Sequence, residues 1–337
     1  MFGENYKTIE ETAWQGRIDS ESNYDTFRWH QWIQPMDLRK DNLTPFTGKL
    51  GFAFIGFCCD EGVKRNKGRT GAANGPQSIR RELSNLPCRF TQEVKLFDAG
   101  NIYCENCTLE ESQALLANAV EKLLGLNLFP IVLGGGHEVA FGHYHGILNH
   151  VKKTNHKPNI GIINFDAHFD LRPYPNGGSS GTMFRQIADH CEEQQLNYSY
   201  FCVGVQKHSN TIDLFKTADR LGGEYILAKD IIDGDNWGLL ERFDHFMKNN
   251  DHIYMTICAD VFSSAFAPGV SATQPVGLDP EKVIKFMKYI LKSDKVVSFD
   301  IAEVSPRFDQ DNTTANLAKV LIFSVIDTLC QAHNLSL

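Results

Sequence analysis

The sequence predicts a single three-layer α/β domain, with helices on both faces of a mostly parallel central sheet. Three observations carry this. Short apolar runs recur along the chain and read as buried strands. Stretches with helical spacing lie between them, and that alternation is the pattern of a parallel sheet covered on both faces. No internal repeat and no long linker rich in Pro, Gly or Ser divides the chain.

Residues 1–50 stand apart. They have little periodicity, yet hold Trp14, Trp29 and Trp32, three of the four tryptophans, and are expected to pack on the domain as an arm. The domain proper is expected over 51–337. Its strands are expected at 51–57, 94–97, 129–133, 160–165, 198–203, 253–257 and 296–299. Helices are expected at 76–86, 109–126, 139–150, 211–221, 280–291 and 314–330. Pro76 and Pro280 suit the first turn of a helix, where a missing N–H costs no hydrogen bond.

Composition narrows the function. The 337 residues are 42% apolar and 22% charged, which is ordinary globular usage and excludes collagen-like, low-complexity and disordered classes. The net charge of −8 argues against a basic face for nucleic acid. The apolar stretch 123–133 is broken by Asn127 and Pro130 and is too short to span a bilayer, so no membrane segment is expected. The N-terminus, MFGENYKTIEE, has no basic segment followed by an apolar one, so no signal peptide is expected. Nine scattered cysteines, an odd number, read as reduced thiols of a cytoplasmic protein. Cys104 and Cys107 form a CxxC, but no second CxxC or His pair lies nearby, so two loop thiols is the preferred reading.

In open parallel sheets, ligands bind at the carboxyl ends of strands. After 129–133 comes Gly134-Gly135-Gly136-His137-Glu138; after 160–165 comes Asp166-Ala167-His168-Phe169-Asp170. After 253–257 comes Cys258-Ala259-Asp260; after 296–299 comes Asp300-Ile301-Ala302-Glu303. In an extended chain, positions i, i+2 and i+4 point to one side, so Asp166, His168 and Asp170 can converge, as can Cys258 and Asp260. With His137 these make six candidate metal ligands, too many for one tetrahedral ion and suited to two ions sharing a carboxylate. Oxygen and imidazole donors favour Mn(II), with Fe, Co or Zn as alternatives. Each motif alone has an ordinary reading: a loop histidine, a tight glycine turn, an acidic triplet. Their recurrence at successive strand ends is what points to metal. The glycines do not form a phosphate loop, because neither GxxxxGK[ST] nor a helix-opening GxGxxG is present.

These residues resemble the ureohydrolase family, which includes arginase, agmatinase and formimidoylglutamase. The resemblance rests on Gly135-Gly136-His137, on Asp166 to Asp170 and on Cys258-Ala259-Asp260, and runs from about Gly51 to the C-terminus. It is strongest to the formimidoylglutamase branch, through 14–19 (WQGRID), 65–71 (RNKGRTG), 164–172 (NFDAHFDLR), 180–182 (SGT) and 267–272 (APGVSA). The resemblance implies an arginase-like sandwich, two Mn2+ ions per chain, and a small-molecule substrate, N-formimidoyl-L-glutamate, cleaved to L-glutamate and formamide in histidine degradation. It implies that His137, Asp166 and Asp170 hold one ion and Asp166, His168 and Asp260 the other. A metal-bridging hydroxide would attack the formimidoyl carbon, Asp170 would pass the proton to the leaving nitrogen, and Glu303 would pair with the amidinium. A homo-oligomer is the family's common state.

The two substrate carboxylates need cationic or hydroxyl partners. Arg172, Arg69 and Arg185 are the candidate arginines, and Ser180 and Thr182 the candidate hydroxyls. Cys258 departs from the family, which places a bridging aspartate there. A thiolate can bridge two ions, but it is softer and shorter in reach, which favours Fe, Co or Zn. Three outcomes stay open: a modified two-ion site, loss of one ion, or a catalytically silent homologue. A related ureohydrolase acting on a guanidino compound is the other enzyme reading. Nearby arginines oppose a cationic substrate such as agmatine, and no His stands where arginases and agmatinases carry one in the loop after Asp170.

Overall fold

A computed structural model describes residues 2–234 and 236–337. One sheet contains β1 (Tyr6–Lys7), β2 (Gln34–Pro35), β3 (Leu50–Cys58), β4 (Val94–Tyr103), β5 (Phe129–Leu133), β6 (Ile160–Phe165), β7 (Ser199–Val205), β8 (Glu224–Leu227), β9 (His252–Cys258) and β10 (Val296–Ala302). Across it the order is β1-β4-β3-β5-β10-β9-β6-β7-β8, with β2 also paired to β4. The pairing of β1 with β4 is antiparallel; the other pairings are parallel. The helices are α1 (Trp29–Trp32), α2 (Glu61–Arg65), α3 (Gly75–Leu83), α4 (Leu109–Gly125), α5 (Val139–Lys152), α6 (Met183–Glu193), α7 (Ile212–Arg220), α8 (Ala228–Asp233), α9 (Asn236–Lys248), α10 (Pro280–Leu291) and α11 (Thr313–Ala332).

Alternation along the strands divides the interior into two cores. In β5, Ile131 and Leu133 join the core beneath α3, α9, α10 and α11, while Val132 joins the core beneath α4, α5, α6 and α7. Burial on both faces is why these strands are apolar at nearly every position. Local signals start the helices. Thr108 and Glu111 form a reciprocal cap on α4, and Asp279 accepts from Glu281 N at 2.7 Å ahead of Pro280 on α10. One helix, α11, is long and apolar enough to cross a membrane. It packs against α3 and α10, and most of its apolar residues belong to the core, with Val320 exposed.

The seven expected strands and six expected helices are present; β5, β6 and α10 have the expected ends, and the others are shifted at one or both ends. β4 runs on to Tyr103, because the polar pair Asp98 and Asn101 in its second half is satisfied by Arg80. Among the elements not expected from the sequence are β8, with only four residues, and α6 and α9, whose apolar residues do recur at helical spacing: Met183, Phe184, Ile187 and Cys191 in α6, and Leu239, Phe243 and Met247 in α9.

The arm lies along the outer edge of β4 through β1 and β2, and Trp29 is fully buried. Its anchor is a buried ion pair. Asp98 accepts from Arg80 Nε at 2.6 Å, Arg80 Nη2 at 3.0 Å and Trp14 Nε1 at 2.8 Å, with both charged side chains at most 2% exposed. Removing one partner of such a pair strands the other charge in the interior. Asp98→Ala is therefore expected to lower stability by about 3–5 kcal/mol. Urea denaturation checks this, and a loss below about 1 kcal/mol would contradict the anchoring role.

Candidate active site

The four strands that carry the sequence motifs are neighbours, in the order β5-β10-β9-β6. Their registers coincide: Leu133 lies beside Ile301, Ile301 beside Ile257, and Ile257 beside Phe165. The next residues of all four strands therefore emerge at one level of one edge.

From β5 the chain enters the triple-glycine turn. Gly134 N donates to Ile301 O at 2.8 Å and Gly136 N to Cys59 O at 2.9 Å, so the turn lies flat against its neighbours. A Cβ at Gly135 would collide with the carbonyl oxygens of Cys59 and Phe57, which explains glycine there by close approach. The turn delivers His137, buried, with Phe184 edge-on to its ring. Glu303 clasps the same turn: its backbone N donates to Gly135 O at 2.8 Å, and its Oε1 accepts from His137 N at 3.0 Å.

Asp166 lies between the two histidines. Its Oδ2 is 3.0 Å from His137 Nδ1, and its Oδ1 is 3.4 Å from His168 Nδ1. His168 N donates to Oδ1 at 2.8 Å, and Asn164 Nδ2 to Oδ2 at 3.3 Å, which fixes the carboxylate. Asp170 Oδ2 is 3.2 Å from His137 Nδ1, and Asp260 Oδ2 is 3.3 Å from His168 Nδ1. Two groups of donor atoms result, each within 4.8 Å: His137, Asp166 and Cys258, and Asp166, His168 and Asp260. Cys258 is buried and belongs to the first group.

Burial alone would push both imidazoles down, but the adjoining carboxylates outweigh it and hold His137 and His168 well above the ordinary value. Asp166 is the converse: burial pushes it up, and the two rings bring it below the usual carboxylate range. Burial and the Asp166 charge raise Asp170 to about 6. Burial, then Glu138 and Asp260, raise Glu303, and burial, then the surrounding carboxylates, raise the Cys258 thiol. So many buried acids in one place call for compensating positive charge. Donors left without hydrogen-bond partners agree: His137 Nδ1, Asp260 Oδ1 and Glu303 Oε2 are buried and unpaired. Carboxylate and imidazole donors so arranged, with the softer Cys258 sulfur among them, fit a pair of divalent ions. Two of the carboxylates also have left-handed backbone, Asp170 at φ 49° and Glu303 at φ 65°, a conformation that costs about 1–3 kcal/mol and is concentrated at functional sites.

A cavity of about 320 Å³ opens over these groups, lined by His137, His168, Asp170, Cys258, Asp260 and Glu303, and by Arg69, Arg172 and Ser180. Arg172 is exposed and its side chain has no polar partner among the described residues. Arg69 is held in place: Nε donates to Ser271 O at 2.9 Å, Nη2 to Val270 O at 2.8 Å, and its guanidinium lies over Phe308. Thr182 and Arg185 stand outside the cavity. The Thr182 hydroxyl accepts from Ser179 N at 2.8 Å and donates to Gln186 at the start of α6, closing the turn. Arg185 sits one helical turn before Asp189, pairs with it at 2.9 Å, and lines a separate hollow with Tyr174. Neither is placed to meet a substrate in this cavity.

Lys67 lines the cavity and was not singled out from the sequence, where a loop lysine reads as a solvated charge. The signal was its place inside 65–71, a stretch already marked by resemblance. Its left-handed backbone, φ 60°, is a further mark that only the fold reveals.

Comparison with known proteins is consistent with this geometry. The arginase family model matches residues 50–327. The formimidoylglutamase of Clostridium tetani (strain Massachusetts / E88) is 69% identical over 338 residues, spanning 100% of both chains. That of Geobacillus sp. (strain WCH70) is 44% identical and spans 93% of each. The crystal structure of Trypanosoma cruzi formiminoglutamase with Mn2+ superposes with a TM-score of 0.73 at 24% identity, covering 84% of this chain and 94% of that one. The chain belongs to the arginase family.

Proposed function

We propose that the protein hydrolyses N-formimidoyl-L-glutamate to L-glutamate and formamide, a step of histidine degradation, at a two-metal site. The observation that carries this is one cavity lined both by the paired metal-ligand groups and by Lys67, Arg69 and Arg172. The name borne by the 69% identical relative supports the substrate.

His137, Asp166 and Cys258, with Asp170 beside them, would hold one ion, and Asp166, His168 and Asp260 the other. Manganese is the assigned metal, in line with the Mn2+ named for the Trypanosoma cruzi structure, and the Cys258 sulfur widens the choice to Fe, Co or Zn. When bound, two such ions supply Lewis acidity and a water-derived nucleophile near neutral pH. Glu303 Oε2, buried without a partner, accepts from the amidinium N–H and orients the formimidoyl group. The Asp170 carboxyl hands a proton to the nitrogen that leaves with glutamate. Arg172 and Lys67 take the substrate's carboxylates, Arg69 offers its uncommitted guanidinium hydrogens, and the Ser180 hydroxyl adds a hydrogen bond. The same cations repel agmatine. All nine cysteines are free, which supports a reducing, cytoplasmic setting.

Chelation with EDTA is expected to abolish formamide release, and reconstitution with Mn2+ to restore it with near two ions per chain by elemental analysis. One ion or none, with no turnover under Mn, Fe, Co or Zn, would refute the proposal. Arg172→Ala is expected to raise KM for formimidoylglutamate about 30-fold at nearly constant kcat, the loss of one charge-assisted hydrogen bond of about 2 kcal/mol. An unchanged KM would remove Arg172 from substrate binding. Mild peroxide is expected to inhibit the wild type reversibly, through sulfenylation of Cys258, while Cys258→Asp resists it and prefers Mn2+. Wild-type activity that peroxide leaves untouched would count against a thiolate ligand.

A further inference from the structure

A run of buried hydrogen bonds leads away from His137 on the side opposite the ligands, through residues that the hydrolysis does not use. His137 Nε2 lies 3.1 Å from Thr256 Oγ1, and Thr256 Oγ1 donates to Asp300 Oδ1 at 2.6 Å. Asp300 Oδ2 accepts from Tyr254 OH and lies 2.6 Å from His143 Nδ1. His143 Nε2 reaches Ser298 Oγ, which donates to Pro130 O at 3.0 Å. Thr256, Asp300, His143, Ser298 and Tyr254 are all shut off from solvent.

The hydrogens in this run have only one consistent arrangement at its near end. A carboxylate accepts and does not donate, so the single Thr256 hydroxyl hydrogen is committed to Asp300. The Thr256 oxygen then turns a lone pair toward His137, and Nε2 must carry the hydrogen between them. A neutral imidazole with hydrogen on Nε2 has its free lone pair on Nδ1. Nδ1 is the nitrogen that stands between the Asp166 and Asp170 carboxylates, buried and without a hydrogen-bond partner. The far end is fixed as well. Asp300 receives three donors from two elements, and His143 and Ser298 tie it to α5 and to the backbone of β5. Asp300 cannot rotate to release Thr256 without stranding a buried donor.

We propose that Thr256, Asp300 and His143 form a positioning relay that sets the tautomer and orientation of His137 and so the affinity of the ion that His137 holds. The proposal rests on the two-ion reading. Partners of this kind typically change metal affinity 10–100-fold when removed. A cluster that only held α5 to the sheet would affect folding and leave the two ions equally bound.

The test is a Co2+ titration of metal-free protein against a chromophoric chelator, which yields a dissociation constant for each ion. Thr256→Val keeps the shape and deletes the hydroxyl. It is expected to weaken one ion about 10–100-fold, to leave the ion at Asp166, His168 and Asp260 within a few-fold, and Thr256→Ser is expected to restore tight binding. Thr256→Ala, which deletes the same hydroxyl with a smaller side chain, carries the same expectation and serves if Thr256→Val does not fold. Thermal unfolding of the metal-free variants separates folding from binding. Wild-type affinity for both ions in Thr256→Val or Thr256→Ala would overturn the relay while leaving the two-ion site standing, as would a Ser variant as weak as the Val variant. A wild type that binds fewer than two ions would overturn both readings.

Discussion

The site depends on the shared register of β5, β10, β9 and β6. Leu133, Ile301, Ile257 and Phe165 stand side by side, so the residues one step beyond them leave the sheet together. His137, Glu303, Cys258 and Asp166 reach one another from strands far apart in sequence because parallel pairing has already aligned the four ends. Order that the sheet supplies for its own stability is order the candidate ligands would not have to acquire on binding an ion. A slip of one residue in any of these pairings would turn that strand's ligands to the other face.

Register also explains why the ligands and the relay adjoin. Side chains two apart on a strand share a face, so Tyr254, Thr256 and Cys258 line one side of β9, and Ser298, Asp300 and Ala302 one side of β10. Tyr254 and Ala302 belong to the core beneath α4 and α5. The polar run is thus a strip of hydrogen bonds set into an otherwise apolar layer, and α5 carries His143 down to meet it. Glu303 and Asp170 add a second kind of constraint. Each holds a backbone conformation that its own side chain disfavours, and the clasp of Glu303 on the glycine turn is what keeps it there.

Most of the fold, and of the candidate ligand cluster that the structure brings together, was legible in the sequence because each signal was contiguous. A buried parallel strand is an uninterrupted apolar run, and each metal motif follows its strand directly. What was not legible depended on tertiary placement. Arg185 and Arg172 look alike as loop-region arginines, yet α6 turns Arg185 onto Asp189 and leaves Arg172 at the cavity. Thr182 and Ser180 differ by two positions, and one closes a turn while the other lines the pocket. His143, Thr256 and Asp300 share no local pattern; only the pairing of β9 with β10 and the packing of α5 bring them together.

A sheet this wide has two ends, and each is a row of backbone donors and acceptors ready to pair with another molecule. At one end β8 is only four residues long. At the other, β4 is ten residues long, and the arm occupies its free side twice, β1 along Asn101 and Ile102 and β2 along Phe97 and Asp98. The Trp14 contact to Asp98 fastens the arm over that row. The arm contributes no residue to the cavity, so its worth lies elsewhere. It converts an adhesive border into a closed one.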